Sequence, residues 1–515
     1  MTVQPAQVTP QMPDLLALAP QGMLGRALRA VDSSLALVGT VLGRTERLVR
    51  DVRRDSRAVA DESVALYAAA ARVAGSVGEA VRATPRFTRI VTAGLRVLAG
   101  YRIHQARAEH LDPAEARAAL DALHAASAQR LHDLCVDLGG GVLKLGQFLS
   151  CRVDLLPPAY VQTLGALCDR VPAEPTDTVL ALLEEELGRP IAEVFPVFDP
   201  TPIAAASLAQ VHRAELADGT RVAVKVQRPG IGAVVEVDVA ALRVLATVLD
   251  DMVPMADLGT VASQVGASLE DELDFAAEAR HLEAFGELLA KSERVCVPRV
   301  HPEASSARVL TMDLVEGERL LDFLEGCTAR EGGAGDRDRL LSTLVDCFTA
   351  QILVHERLHS DPHPGNFLVA PDQRLVLLDF GSVRTFEPGT GRAYSELVGA
   401  VLGGQSAKAG ELLGRMGFRT RDEDPATLTR FAEMLLAAFR ESASLASLDP
   451  AAQVAEALAL ARDNPIVSVP PDFVMIGRVL ATLAGLLVHY RPDIDLFRIV
   501  APHLAASLAR RPLAA

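Results

Sequence analysis

An α+β fold in two lobes is what this sequence predicts, with a large helical N-terminal extension and a mainly helical C-terminal lobe. Three observations carry that expectation. The 515 residues are rich in Ala, Leu and Arg, with 4% aromatics and no Trp, a composition that favours helix over an all-β chain. Strand-like runs are confined to 203–227, around the hairpin signal Asp218-Gly219, and to 295–300 and 308–315. One more apolar run, Leu375 to Leu378, sits inside an otherwise helical second half.

Taken in order, residues 1–20 hold four prolines and little periodicity and read as a disordered lead. Residues 21–110 read as an Arg-rich helical segment. Between 26 and 107 stand 15 arginines against 7 acids and no Lys, a local +8 in a chain of −15. A solvated helix face packed on the domain is the preferred reading; an amphipathic surface for anionic lipid is the alternative. Residues 111–200 continue as a helical extension. Asp112-Pro113 is an N-cap followed by Pro at the first helical position. Gly139-Gly140-Gly141 breaks the helix before 142–150, where Lys144 and Gln147 share a face at i and i+3.

The first lobe is expected at 201–317. Its strand 221–226 carries Lys225 and follows the turn Ala204-Ala205-Ala206-Ser207. Alanine has less φ freedom than glycine, so this turn should be stiff, even helical. Residues 261–290 read as one long helix that supplies an acid for Lys225. Glu278 is the choice. Glu272 lies about 120° from it around a helix, and Glu272 and Asp274 are left for another partner. Met312 to Glu316 reads as the hinge to the second lobe, at 318–515, where a helix at 337–357 is expected and then helix to the end after Gly381. The apolar stretch from Phe473 to Val488 is interrupted by Arg478, leaving ten residues, which suits a buried helix better than a membrane span.

The six cysteines form no CxxC pair, which points to reduced thiols and neither a disulfide frame nor a zinc site. The N-terminus lacks a basic n-region and a long apolar core, so no signal peptide is expected. Net charge argues against nucleic acid as a partner. A cytoplasmic protein without a transmembrane helix is expected, with peripheral attachment to a membrane as the alternative.

The chemistry is carried by residues 355–383. Asp361 is followed five positions later by Asn366, and Asp379-Phe380-Gly381 begins thirteen residues after that. A kinase-like phosphoryl-transfer site needs this order. One loop carboxylate sits near the attacking oxygen, an amide oxygen of the same loop binds Mg²⁺, and a second carboxylate binds it from a strand end. Pro362 and Pro364 fix φ around Asp361. The run Val222-Ala223-Val224-Lys225 fits the strand lysine that contacts phosphates in such sites. No Ala-Pro-Glu and no long activation segment follow, so peptide-docking machinery is missing or rebuilt.

Lys144-Leu145-Gly146-Gln147, the run from Ala204 to Ala214, Val-Ala-Val-Lys225, Glu272-Leu273-Asp274-Phe275, His359-Ser-Asp361-Pro-His-Pro-Gly-Asn366 and Asp379-Phe-Gly together resemble the UbiB family of atypical kinases (ABC1, AarF, ADCK). The resemblance covers roughly residues 105–500. It implies a protein-kinase-like fold in which the Lys-x-Gly-Gln helix packs over the active site, with Lys144 tied to Glu272 and Asp274 and Gln147 beside it as a gate. It also implies ATP and Mg²⁺ as cofactors, phosphoryl transfer or ATP hydrolysis, and a link to ubiquinone or other isoprenoid lipids. On this reading Lys225 and Ala204, Ala205, Ala206 and Ser207 hold phosphates, and Glu278 positions Lys225. Asn366 and Asp379 hold metal, Asp361 orients the attacking oxygen or takes its proton, and Met312 to Glu316 reach the adenine. Expected partners are a nucleotide and an isoprenoid lipid or anionic membrane surface. A nucleotide-sensing scaffold with little turnover and a small-molecule kinase are the alternatives.

Overall fold

The computed structural model describes residues 84–108, 110–150, 156–167, 171–250, 258–420, 426–433 and 466–510, with 77, 78 and 81. The expected disordered lead and most of the Arg-rich segment lie outside these residues. The chain falls into two compact units: Met1–Glu174, Ala204–Gln210 and Arg228–Glu270 form one, and Pro175–Ile203, Val211–Gln227 and Asp271–Ala515 the other. The units alternate along the chain, whereas the sequence suggested consecutive blocks.

The first unit is helical. Asp112 caps α2 (Pro113–Leu138) by accepting the Ala114 and Glu115 N–H groups, after α1 (Pro85–Ala108). Gly139 and Gly140 then take φ of 58° and 59°, a left-handed turn that only glycine makes without strain, and the chain re-enters helix as α3 (Gly140–Ser150). Helix α4 (Ile231–Asp250) buries Val237, Ala241, Val244 and Val248, a 3.6-period stripe, with Phe87, Ile90 and Leu95 of α1 and Val142 and Leu143 of α3. That stripe explains why residues so late in sequence join the helical unit. One ion pair ties all four helices, α1 to α4. Arg86 donates to Asp238 (Nη2 to Oδ2, 2.7 Å) and to the carbonyls of Leu138 and Gly139, and Asp238 accepts the Val142 N–H. The end of α2 and the start of α3 therefore have their orphan backbone groups satisfied by one side-chain pair.

The alanine turn also belongs to this unit, and it is not helical. Ala204–Ala205 is a two-residue strand, and Ala206 N–H donates to the Ala209 carbonyl. A Cβ limits φ to negative values, which serve a strand as well as a helix. The turn is tied down by Arg228, which donates to the Ala206 carbonyl at 2.8 Å and to the Pro172 carbonyl at 2.6 Å.

In the second unit β1 (Val197–Phe198), β2 (Ala209–Glu215, its first two residues in the other unit), β3 (Arg221–Gln227) and β5 (Val309–Asp313) line up in that order in one sheet. The Asp218-Gly219 turn joins β2 to β3, with Leu216 N–H on the Thr220 carbonyl. Val222, Val224 and Val226 alternate onto the face that packs against Val179, Leu182 and Leu183 of the helix Thr176–Leu187. Lys225 therefore points to the opposite face.

The predicted long helix 261–290 is two helices, Leu258–Asp271 and α5 (Phe275–Leu289). The break at Glu272-Leu273-Asp274 arises because Asp274 acts as an N-cap, accepting the Ala277 N–H at 2.8 Å. The angular comparison of Glu272 with Glu278 thus does not apply. A second sheet has the order β4 (Val295–Cys296), β9 (Leu375–Leu377), β8 (Phe367–Val369), β6 (Glu318–Arg319), with β4 parallel to β9. Only two residues of the expected strand 295–300 pair as strand; Val300 makes a single bridge to Met312.

Helix α6 begins at Ala334, three residues before the expected start, and ends at Ala350, where a π-turn covers Gln351–His355. The second half is not wholly helical after Gly381. Strand β10 (Val383–Thr385) pairs with β7 (Arg357–His359), and Arg419–Thr420 pairs with Ile466–Ser468. Two- and three-residue strands are too short to print an alternating pattern in the sequence. Arg478 does not interrupt its apolar stretch either. Helix α7 (Pro471–Tyr490) runs through it for 20 residues and is long and apolar enough, by length and composition, to cross a membrane; 29% of its most apolar window is buried. Phe473 at its start packs on Phe418 and Tyr394.

Candidate active site

Two strand registers build the site. Phe367 pairs with Leu377, so Asn366, just before β8, sits opposite Leu378, and the Leu378 N–H donates to the Asn366 carbonyl. Asp379 is the next residue. In the other ladder His359 pairs with Val383, and Ser360 N–H donates to the Ser382 carbonyl. Asp361 follows that junction on one strand and Gly381 precedes it on the other. Short antiparallel pairs thus bring Asp361, Asn366 and the Asp379-Phe380-Gly381 turn to one end of the unit.

Asp379 has φ of 51°, a left-handed conformation that costs an aspartate about 1 kcal/mol or more and points to a functional turn. Its Oδ1 accepts the Gly381 N–H at 3.2 Å, and its Oδ2 is 3.6 Å from Lys225 Nζ. Lys225 also donates to both oxygens of Glu278, at 2.7 and 2.8 Å, and lies over the Phe275 ring. Side-chain exposure is 15% for Lys225 and 1% for Glu278, so this is a buried pair. Burial alone would discharge the lysine, but the carboxylates of Asp379 and Glu278 outweigh it and hold its pKa above the ordinary lysine range. Glu272 adds to the same field and lies against Gly381.

Helix α5 grips the turn with one face. Glu278 Oε1 accepts the Phe380 N–H, His281 Nδ1–H donates to the Phe380 carbonyl, and Phe285 packs on the Phe380 ring at 4.8 Å. Positions 278, 281 and 285 are i, i+3 and i+7. His359, fully buried, places Nε2 at 2.8 Å from the Asp379 carbonyl and 3.2 Å from that of Leu378. Carbonyls only accept, so Nε2 carries the proton, and Nδ1 has no hydrogen-bond partner among the described residues. None of His281, Phe285 and His359 had a role in the sequence reading. The first two follow from Glu278 once the helix is known to start at Phe275.

Asn366 Nδ2 donates to the Asp361 carbonyl at 3.0 Å and approaches its Oδ2 at 3.3 Å. Since both are acceptors, the amide oxygen of Asn366 points elsewhere. That oxygen and the half-exposed Asp379 carboxylate are hard donors of the kind Mg²⁺ takes when phosphates complete its shell. Among the described residues no group of three or more His, Cys, Asp or Glu side chains converges as a metal cage. Asp379 and Asn366 therefore fit a cation carried on a phosphate ligand.

Two candidates have surroundings other than those expected. Asp274 is an N-cap, 3.9 Å from Arg280. Met312 is not in a linker: it is buried in β5 opposite Ala223, and the connection to β6 is Leu314 to Gly317, where Glu316 pairs with Arg221 at 2.8 Å. Ala204, Ala205, Ala206 and Ser207 belong to the other unit, as do Lys144 and Gln147, both half-buried on α3. The glycine between those two has a packing reason. A Cβ on Gly146 would lie 2.7 Å from Cys135 Sγ of α2 and 2.6 Å from Leu167.

Residues 166–413 match the ABC1 atypical kinase-like domain. The chain is 32% identical over 411 residues to the chloroplastic protein Activity of BC1 complex kinase 8 of Arabidopsis thaliana, covering 73% of this chain and 53% of that one. It is 37% identical over 266 residues to AarF domain-containing protein kinase 1 of Xenopus laevis, half of each chain. It thus spans about half the length of these curated relatives. A Mycobacterium tuberculosis protein solved in complex with erythromycin superposes with a TM-score of 0.55 at 24% identity, over 77% of this chain and all of that one. Together with the ABC1 domain match, that likeness supports a kinase-like fold, here helix-rich with small sheets.

Proposed function

Because the chain belongs to the ABC1 (UbiB, AarF) family of atypical kinases, we propose that it binds Mg²⁺–ATP and transfers or hydrolyses the terminal phosphoryl group. The observation that carries this is the meeting of Lys225, Glu278 and Asp379 beside a catalytic loop in which Asn366 orients Asp361. When bound, Mg²⁺ would neutralise phosphate charge, held by Asp379 and Asn366. Lys225, kept cationic by two carboxylates, holds phosphate oxygens; Glu278 fixes where its ammonium points. Asp361 orients the attacking hydroxyl or water and receives its proton. The two-lobed arrangement, adenine contact near Glu316, phosphate contact by the alanine turn and the cover formed by Lys144 and Gln147 with Glu272 are parts of the same proposal. So are an isoprenoid or quinone lipid as acceptor or effector, and an anionic membrane as the surface where it is met.

The test is an ATPase assay with and without anionic vesicles and a short-chain quinone mimic. Turnover is expected to require Mg²⁺ and to fall on the order of 10²- to 10⁴-fold in Asp361→Asn, leaving a measurable residual rate. Turnover equal in that variant and the native protein would remove the phosphoryl-transfer reading, and indifference to both lipids would remove the lipid part alone. Lys144→Ala is expected to change turnover on the order of tenfold with the melting temperature retained. Unaltered kcat and KM in that variant would end the gating role.

A further inference from the structure

Helix α7 reaches the catalytic loop through one side chain. Arg478 Nη2 donates to the Ser360 carbonyl at 2.7 Å and stands 3.7 Å from Asp361 Oδ1. On its other side Ser360 is fixed to the turn that follows Asp379-Phe380-Gly381. Its N–H and hydroxyl both reach the Ser382 carbonyl at 3.0 Å, and the two serine hydroxyls are 2.7 Å apart. A second link holds the first turn of α7 to the same region, Arg384 Nε on Asp472 at 2.9 Å. The segment Ser360-Asp361 is therefore clamped between β10 and an arginine supplied from more than a hundred residues later in the chain.

We propose that Arg478 is the positioning residue for Asp361, so that α7 is part of the frame of the catalytic loop. The inference rests on the phosphoryl-transfer reading above. The chain offers a reason for such a frame. Only residues 382–389 separate Gly381 from the helix Thr390–Leu402, too few to fold back as a long activation segment over the loop. Arginine suits the task because a planar fork can serve a carbonyl and a carboxylate together, which a lysine ammonium does less well. Asn366 holds one carboxylate oxygen of Asp361 and Arg478 stands by the other, so the plane of the carboxylate is set from both sides. Lys225 takes its place from Glu278, Asp379 and the Phe275 ring, so its contact with phosphate is set by those residues.

Arg478→Ala is expected to lower kcat about 10- to 100-fold, the size expected from loss of a charged hydrogen bond, with KM for ATP held within about twofold. Arg478→Lys should be intermediate, and guanidinium ion added to Arg478→Ala should restore part of the rate. The decisive comparison is the double variant. If Arg478 acts through Asp361, Asp361→Asn/Arg478→Ala is no slower than Asp361→Asn alone. A double variant slowed by the full Arg478→Ala factor, a kcat unmoved by Arg478→Ala, or a change confined to KM overturns the proposal. Nucleotide affinity in Arg478→Ala, expected to be native, reports that the variant is folded; a loss there also counts against it. Native protein without turnover removes the parent reading and this inference together, whereas turnover that falls in Asp361→Asn but is kept in Arg478→Ala removes this one alone.

Discussion

Asp379→Asn is expected to weaken Mg²⁺-dependent ATP binding by at least about 100-fold. Loss of an outer-sphere partner of a metal ligand already costs about 10- to 100-fold in affinity, and here the charged ligand itself is replaced. The substitution is close to isosteric, and an asparagine tolerates the left-handed φ of 51° as well as an aspartate does. The Gly381 N–H can still be accepted by the amide oxygen. The fold should therefore survive, and the loss should be specific to metal-borne phosphate. Binding of a fluorescent ATP analogue, titrated with Mg²⁺ and with EDTA, measures it. The expected outcome is a large affinity difference between the two conditions in the native protein and almost none in the variant. Native-like Mg²⁺-dependent affinity in Asp379→Asn would take the metal away from this residue and with it the reading of the turn.

How much of this was visible beforehand divides by the range of the interaction. Residues whose placement is set by local order are legible: Asp361, Asn366 and Asp379 lie at consecutive strand ends, so their spacing encodes their proximity. Glu278, the acid expected for Lys225, does contact it, although the helix expected to carry it is two helices. The break was encoded too, because Asp274 is followed three residues later by an N–H that it can cap, but a run of good helix formers on both sides hid it. The two- and three-residue strands after Gly381 were not legible. Their existence depends on β7 offering a partner edge, not on their own pattern. Met312 was misassigned by a few residues for the same reason: the end of β5 is set by its pairing with β3. Arg478 was counted only as a blemish in an apolar segment. Nothing within that helix says that the guanidinium meets a carbonyl 118 residues earlier.

Lys225→Met is the substitution expected to cost the most stability, about 3–5 kcal/mol, because it leaves a carboxylate buried without its cation. Glu278 is 1% exposed, and burial already pushes its carboxyl above the ordinary range, with Lys225 pulling it down and Asp379 pushing it further up. Without Lys225 only the Phe380 N–H remains to favour the charged form. The folded protein then binds a proton that the unfolded chain, with an ordinary glutamate, has released. A group with its folded pKa raised stabilises the native state below the unfolded value and loses that contribution as pH rises through the folded one. The gap between native and variant proteins in urea unfolding should therefore be small near pH 5 and widen towards pH 8. Lys225→Met/Glu278→Leu, which removes both charges, should recover much of the loss at pH 8 while remaining inactive, since an apolar pair of similar volume is often neutral in stability. A gap that stays constant with pH, or a double variant less stable than Lys225→Met, would mean that Glu278 is not the stranded charge. Glu278→Gln tests the pair from the other side. Lys225 keeps Asp379 at 3.6 Å as an alternative partner, so stability should fall less than in Lys225→Met. Turnover should still collapse, because the ammonium is then drawn onto the very carboxylate proposed to hold the metal.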